Sequence, residues 1–151
     1  MIKELEIIIT KRLKHQIFID DEFSVKITKQ KLGYKLSIKS TDNKIELFAD
    51  VLEDIDLSQL MYLFIKNLYY TEVNWRTKEI HRTKSFLYRK AKQLATWSAR
   101  NNINKVEKIN KEIVERYKET ENLKQEVAYY KQFVSVFYDI KTDIEEWEWL
   151  R

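Results

Sequence analysis

The side chains that most often perform catalysis or hold metals are few in this chain and poorly spaced for either task. The 151 residues include two histidines, His15 and His81, and no cysteine. A thiol nucleophile is therefore excluded, as are the H-x-x-x-H and H-E-x-x-H pairs that bind zinc from one face of a helix. No G-x-S-x-G motif indicates a serine nucleophile.

Acidic clusters are the remaining basis for metal chemistry. One cluster is Asp20-Asp21-Glu22, and a second comprises Asp50, Glu53, Asp54 and Asp56. Carboxylates bind Mg²⁺, but acids are also common at turns and helix N-termini, where they complement the helix dipole. The calcium-loop pattern and the E-x-K pattern of many Mg²⁺ nucleases are both absent. We expect no enzymatic activity, no metal and no cofactor.

Basic residues form the clearest pattern in the sequence. The net charge of +4 conceals ten basic and three acidic side chains in residues 71–110, a net +7, against zero in 1–70 and −3 in 111–151. On a helix with 100° between residues, five of these basic side chains fall within about 80°, opposite an apolar face. We call them the basic face: Lys78, Arg82, Arg89, Lys92 and Arg100.

Three interpretations of the basic face remain open at this point. It can dock on an acidic protein surface, where charge steers the encounter. It can bind nucleic-acid phosphates, with Trp75 or Tyr88 stacking on bases. It can also be a solvated surface that acids of the following helix partly neutralise, namely Glu107, Glu112, Glu115 and Glu119.

The C-terminal segment alternates acids with large aromatic residues. We predict a tail anchor for a partner protein there, formed by Glu145, Glu146, Trp147 and Trp149, because tryptophan is enriched in binding hot spots. The alternative is an ordinary helix end that folds back onto its own sheet.

The elements that would position these residues follow from hydrophobic periodicity. Alternation predicts an antiparallel meander of four or five strands, with turns at 30–33 and 41–43 and additional strands at 5–9 and 17–19. Asp56 is predicted to cap a buried helix over 57–70. Asn74 is predicted to cap a second helix to about residue 99, and a break at Asn101-Asn102 precedes near-heptad spacing.

The fold class is therefore α+β. We expect a sheet-plus-helix body over 1–72 and a helical hairpin over 73–151 whose C-terminal arm returns to the core, all in one continuous domain. Periodicity does not decide between one helix and two over 103–149. The single glycine, Gly33, and the lack of proline exclude phosphate-binding loops of several glycines and are typical of long unbroken helices.

The function that we expect is binding without catalysis. Nothing resembles a signal peptide or a membrane span, so we expect a cytoplasmic protein with a protein partner, and self-association into a homodimer is a further option. The high Lys, Ile and Asn content resembles that of small proteins from AT-rich bacteria and their phages. That resemblance implies a phage or mobile-element accessory protein that inhibits or redirects a host protein, for example an anti-CRISPR type inhibitor. Nucleic-acid binding is the alternative.

Overall fold

A computed structural model describes residues 2–51 and 55–149, except for the side chain of Trp149. The elements are α1 (Ile2–Gln16), β1 (Phe23–Gln30), β2 (Gly33–Ser40), β3 (Lys44–Asp50), α2 (Leu57–Leu68), a π-helical turn (Tyr69–Val73), α3 (Asn74–Ala99) and α4 (Ile103–Trp149). The chain divides into two compact units. We call residues 1–71 and 130–151 the sheet unit, and residues 72–129 the hairpin unit.

The sheet is a three-stranded antiparallel meander in the order β1-β2-β3, which confirms the α+β class. Both predicted turns are confirmed, because β1 pairs with β2 from Gln30 opposite Gly33, and β3 begins directly after Asn43. Gly33 has φ +125°, and a Cβ atom there would lie 1.9 Å from the Ala49 carbonyl oxygen. Only glycine therefore fits this corner without moving the backbone.

The strands predicted at 5–9 and 17–19 are wrong. Residues 2–16 form helix α1, and residues 17–19 are irregular. Leu5 and Ile9 are fully buried together with Leu13, which continues their spacing of four residues, whereas Ile7 is 56% exposed. The alternation of Leu5, Ile7 and Ile9 resembles a strand, but a spacing of four is the helical period.

Side chains of the two flanking helices cover backbone donors at both edges of the sheet. The β1 amide of Ile27 donates to Glu6 Oε1 of α1 at 2.7 Å, and the β3 amide of Phe48 donates to Asn67 Oδ1 of α2 at 3.0 Å. Exposed strand edges pair readily with other chains. Helix–edge hydrogen bonds therefore protect a sheet of only three strands.

The core of the sheet unit is apolar and aromatic. The buried face of the sheet and the inner faces of α1 and α2 meet the last turns of α4, where Phe133, Phe137 and Ile140 are fully buried. Phe18 lies between Phe23 and Phe133, with ring centroids 4.8 and 5.8 Å apart. Arg12 also forms an ion pair with Asp143, so α1 and the end of α4 are joined by charge as well as by packing.

The helix that follows residue 56 has a confirmed start and a different end. Asp56 Oδ1 accepts a hydrogen bond from the Gln59 amide at 2.8 Å, as an N-cap does. The predicted cap at Asn74 is wrong, because α3 follows the π-helical turn directly and its N-cap position is Val73, with no side-chain cap hydrogen bond. Without glycine or proline the chain widens by a π turn here and does not break.

The break at Asn101-Asn102 is confirmed. Asn101 has φ 55°, a conformation that asparagine tolerates better than most residues. Asn102 Oδ1 then accepts from the Lys105 amide at 3.2 Å, which caps α4. From there α4 is one uninterrupted helix of 47 residues. It contributes residues up to 129 to the hairpin unit and those from 130 to the sheet unit. Among the described residues, no helix is both long and apolar enough to span a bilayer.

Candidate functional site: the charged faces of the hairpin unit

The antiparallel alignment of α3 and α4 in the hairpin unit is fixed by a few cross-helix contacts. The hydroxyls of Thr83 and Thr120, both buried, lie 2.8 Å apart. Arg116 Nε donates to Thr83 Oγ1 at 2.9 Å, and its Nη2 donates to the Glu79 carbonyl oxygen at 3.1 Å. Thr83 is the only buried side chain of α3. The centre of this seam is therefore polar, and its register depends on hydrogen bonds.

Ion pairs extend the same alignment along the hairpin. Lys90 binds Glu112, and at the other end Arg76 Nε donates to Glu126 at 2.6 Å. The hydrogen bond from Lys90, supported by the charges of Lys90 and Lys108, holds the pKa of the Glu112 carboxyl below its usual range. The role of Lys90 was not predictable from the sequence, because its partner depends on how the two helices align.

The structure places all five residues of the basic face on the exposed surface. Lys78, Arg82, Arg89 and Lys92 lie on α3, whereas Arg100 lies one residue beyond its end. The Arg100 guanidinium lies 5.2 Å from the centre of the Trp97 ring. The Lys92 ammonium lies 4.6 Å from the centre of the Tyr88 ring.

The acids of α4 do not neutralise the basic face. Within the described part of the chain, Arg82 alone of the five has a carboxylate partner, and that partner is Glu79 on its own helix. Arg82 still keeps 70% of its side chain exposed. Glu112, one of the acids expected to neutralise the face, binds Lys90. Most of the positive charge of this face is therefore open to solvent.

Two exposed aromatic side chains border the basic face. Trp75 is 46% exposed and Tyr88 is 65% exposed. At 100° per residue they lie on opposite sides of the basic arc. Arginine, tyrosine and tryptophan are the side chains most enriched at protein-binding hot spots, so α3 combines charge with the residue types that provide binding energy.

The acids of α4 form a second pattern, although the sequence alone suggested for three of them only a role in neutralising the basic face. Glu112, Glu115, Glu119 and Glu126 follow one another at steps of three, four and seven residues and fall within about 60° of the helix circumference. We call these four the acidic stripe. Glu115 and Glu119 are exposed and form no ion pair within the described residues. The heptad spacing was visible in the sequence, but only the position of α3 shows which acids remain open.

A groove of about 470 Å³ lies on one side of the hairpin unit. Both helices line it, with Trp75, Glu79, Arg116, Glu119, Asn122 and Leu123. Trp75 borders the basic face, and Glu119 belongs to the acidic stripe. The groove therefore shows that the two charged surfaces flank the same side of the hairpin.

The residues of the predicted tail anchor lie in the last turns of α4. Glu145 Oε1 accepts from the Ser58 hydroxyl of α2 at 2.7 Å and also binds Lys141. The hydrogen bonds from Lys141 and then Ser58 hold the pKa of the Glu145 carboxyl below its usual range. Glu146 is exposed and Trp147 is 49% exposed, while the side chain of Trp149 lies outside the described residues.

The acidic residues considered for metal binding are only partly described by the structure. Asp20, Asp21 and Glu22 line an open pocket of about 450 Å³ together with Lys14 and Phe23. Glu53 and Asp54 of the second cluster lie outside the described residues. Over residues 2–51 and 55–149, no group of three His, Asp or Glu side chains is arranged to hold a metal ion.

Comparison of the chain with protein-family models, with curated proteins and with solved structures gives no match.

Proposed function

We propose that the chain is a non-catalytic protein-binding module whose basic face docks on an acidic surface of a partner protein. The observation that carries this proposal is the exposed, largely unneutralised charge of the basic face, of which only Arg82 has a carboxylate partner in the described part of the chain. Charge of this kind accelerates encounter and selects complementary partners. Trp75 and Tyr88 at its borders add the apolar contact area that a charged surface lacks.

The test is charge reversal on the basic face with a matched control. The variant Arg82→Glu/Arg89→Glu is compared with Lys84→Glu/Lys118→Glu, which makes the same change in net charge at two exposed residues away from the face. Each chain is used as bait in a lysate of the native host, and captured proteins are quantified by mass spectrometry. We expect the first variant to capture at least about tenfold less of the partner protein than the wild type does. The control should capture as much as the wild type. Equal capture by both variants would show that the basic face is not the docking surface.

The narrower form of the proposal is that the partner is a nucleic-acid-processing host protein, which the chain inhibits or redirects as a phage or mobile-element accessory protein. It is supported by composition, through the high Lys, Ile and Asn content. Its test is the activity of the captured protein with and without the purified chain. If a saturating concentration of the purified chain leaves the activity of the captured protein unchanged, inhibition is contradicted. The docking proposal would stand in that case.

Nucleic-acid binding is the second candidate, and the exposed rings of Trp75 and Tyr88 favour it. Bases of single strands stack on such rings beside a basic track. A titration with generic single- and double-stranded DNA and RNA separates the candidates, because affinity for phosphates falls steeply with salt. Absence of binding at low salt would eliminate this candidate. Tight, salt-sensitive binding that Arg82→Glu/Arg89→Glu abolishes would favour it over a protein partner.

A further inference from the structure

We infer that the acidic surface that the basic face fits is the acidic stripe of a second copy of this chain, so that two hairpin units pair around a twofold axis parallel to their helices. This inference rests on the proposed function in treating the basic face as a docking surface, and it specifies the partner. The observations that carry it are the opposite charges of the two surfaces and their position on the same side of the hairpin.

The charge pattern selects one orientation of the pair. A twofold axis that runs along the helices and between the two facing hairpins places α3 of each copy over α4 of the other, so each basic face meets an acidic stripe. An axis at right angles to the helices places α3 over α3 and sets basic residues against basic residues. Like charges across an interface cost several kcal/mol, so only the parallel axis is compatible with the sequence.

The contacts inside one hairpin predict which residues face each other between copies. A rotation about an axis parallel to the helices does not change the position of any residue along the helix direction. Residues that are level with each other within one hairpin are therefore also level between the two copies. Thr83 is level with Thr120, and Lys90 is level with Glu112. Arg82 of one copy is therefore level with Glu119 of the other, and Arg89 with Glu112 and Glu115. Glu115 and Glu119 form no ion pair within the described residues of their own chain, so they are open for these contacts.

The groove gives the pair an aromatic contact near one end of α3. Trp75 stands at the groove with 46% of its surface exposed. Because Arg76 is level with Glu126, the axis places each Trp75 over the partner's α4 near residue 127, at the end of the hairpin where α3 begins. Each indole then covers the groove of the other copy, a reciprocal contact of the kind that a twofold interface requires.

The available area is sufficient for a specific dimer. Helix α3 has 26 residues and is about 39 Å long at 1.5 Å per residue. Two adjacent helices present a side about 20 Å wide, so each copy offers roughly 800 Å², the area that one partner of a standard interface buries. Arg82 and Arg89 supply charge pairs along the middle of α3, and Trp75, the second residue of that helix, adds an aromatic contact of the hot-spot type at one end.

The test is a charge swap between two variants. Each variant alone should fail to dimerise, and a mixture of the two should form a dimer again. Arg82→Glu/Arg89→Glu sets acidic residues opposite Glu115 and Glu119 of the other copy, and Glu115→Lys/Glu119→Lys sets basic residues opposite Arg82 and Arg89. Analytical ultracentrifugation of the full chain at low salt should show a dimer for the wild type. Each variant alone should be monomeric, with the association constant at least about tenfold weaker. An equimolar mixture of the two variants should recover a dimer, because each surface then meets its opposite.

Two controls separate the interface from general effects of charge and folding. Lys84→Glu/Lys118→Glu should stay dimeric, and circular dichroism should show unchanged helix content in every variant. Trp75→Ala should weaken the dimer, whereas Tyr88→Ala, on the opposite border of the basic face, should not. A wild-type monomer at millimolar concentration and low salt, or a mixture of folded variants that stays monomeric, would overturn the inference. The proposed function is judged separately, by capture of a different protein through the basic face.

Discussion

The two units of this chain are stabilised in different ways. The sheet unit has an apolar core in which Phe64, Phe133 and Phe137 are fully buried, and its strand edges are covered by Glu6 and Asn67. The hairpin unit has few buried residues, and its centre is the hydroxyl pair of Thr83 and Thr120. Its alignment depends on hydrogen bonds and ion pairs that water and salt weaken.

This contrast indicates which of the two units can present binding residues with little loss of stability. A core that supplies most of the folding free energy tolerates little change, because buried volume is tightly packed. The surface of the hairpin contributes little to folding, and α3 and α4 each present a whole side to solvent. Charges can therefore be arranged there for recognition at small cost in stability. In this molecule, the unit with the smaller apolar core is therefore the one suited to contact partners.

The largest effect is expected from the removal of one aromatic ring from each unit. Phe133→Ala should lower the free energy of unfolding of the sheet unit by about 3–5 kcal/mol, because its ring is fully buried. Phe86→Ala in the hairpin unit should cost about 1–2 kcal/mol, because Phe86 is only partly buried. Amide hydrogen exchange, measured separately for residues 2–71 and 72–129, gives the loss in the free energy of unfolding for each unit. Equal costs would mean that the hairpin is as firmly packed as the sheet unit.

Gly33→Ala is the second test, because it strains a backbone corner of the sheet unit without removing any contact area. The added Cβ atom would lie 1.9 Å from the Ala49 carbonyl oxygen at a φ of +125°. We expect a loss of about 2–4 kcal/mol, measured by urea denaturation. Protection of amides in the hairpin unit against exchange should change little. A loss below about 1 kcal/mol would show that the backbone at the start of β2 is softer than its geometry indicates.

The third test addresses the polar seam of the hairpin. Thr83→Val removes the acceptor of Arg116 Nε and one of two partners of the Thr120 hydroxyl, which still donates to the Arg116 carbonyl oxygen. We expect a cost of about 1–3 kcal/mol, because unsatisfied buried polar groups are penalised. Thr120→Val and the double variant complete a cycle, which should give a coupling energy of at least about 0.5 kcal/mol. Additive costs would show that the two hydroxyls do not act as a pair.

The smallest effect is expected from lowering the pH. Lys90 lowers the pKa of Glu112 in the hairpin unit, and Lys44 and then Lys35 lower the pKa of Glu46 in the sheet unit. A carboxyl with a lowered pKa stabilises the fold above its unfolded pKa of about 4.3 and loses that contribution as the pH falls through the folded value. Exchange of hairpin amides should therefore accelerate below about pH 4.3, and Glu112→Gln should remove that acceleration. The same acceleration in Glu112→Gln would contradict this role of the pair.

The parts of the fold that depend on local sequence were predictable. The two turns, the Asp56 cap and the break at Asn101-Asn102 each follow from residue types within a few positions of one another. Helix α1 was not, because Leu5, Ile7 and Ile9 fit both periods. Leu13 decides between them, because it lies beyond so short a strand but continues the helical spacing of four residues and is fully buried.

The candidate site was predictable only on one helix at a time. Positions on α3 follow from 100° per residue, so the basic face was available from the sequence. The pairing of Lys90 with Glu112 depends on the alignment of α3 with α4, which the Thr83–Thr120 contact fixes. That alignment decides that Glu115 and Glu119 remain open. Propensity and periodicity contain no information about such a long-range register.

The unbroken course of α4 through both units has a consequence for synthesis. Phe133 and Phe137, which complete the core of the sheet unit, are translated only after the whole of residues 72–129. At roughly 5–20 residues per second, this interval lasts about 3–12 seconds. During that time the strands and α1 have emerged without the rings that cover them. The nascent chain therefore exposes an incomplete apolar surface during this interval, and exposed surface of this kind favours aggregation.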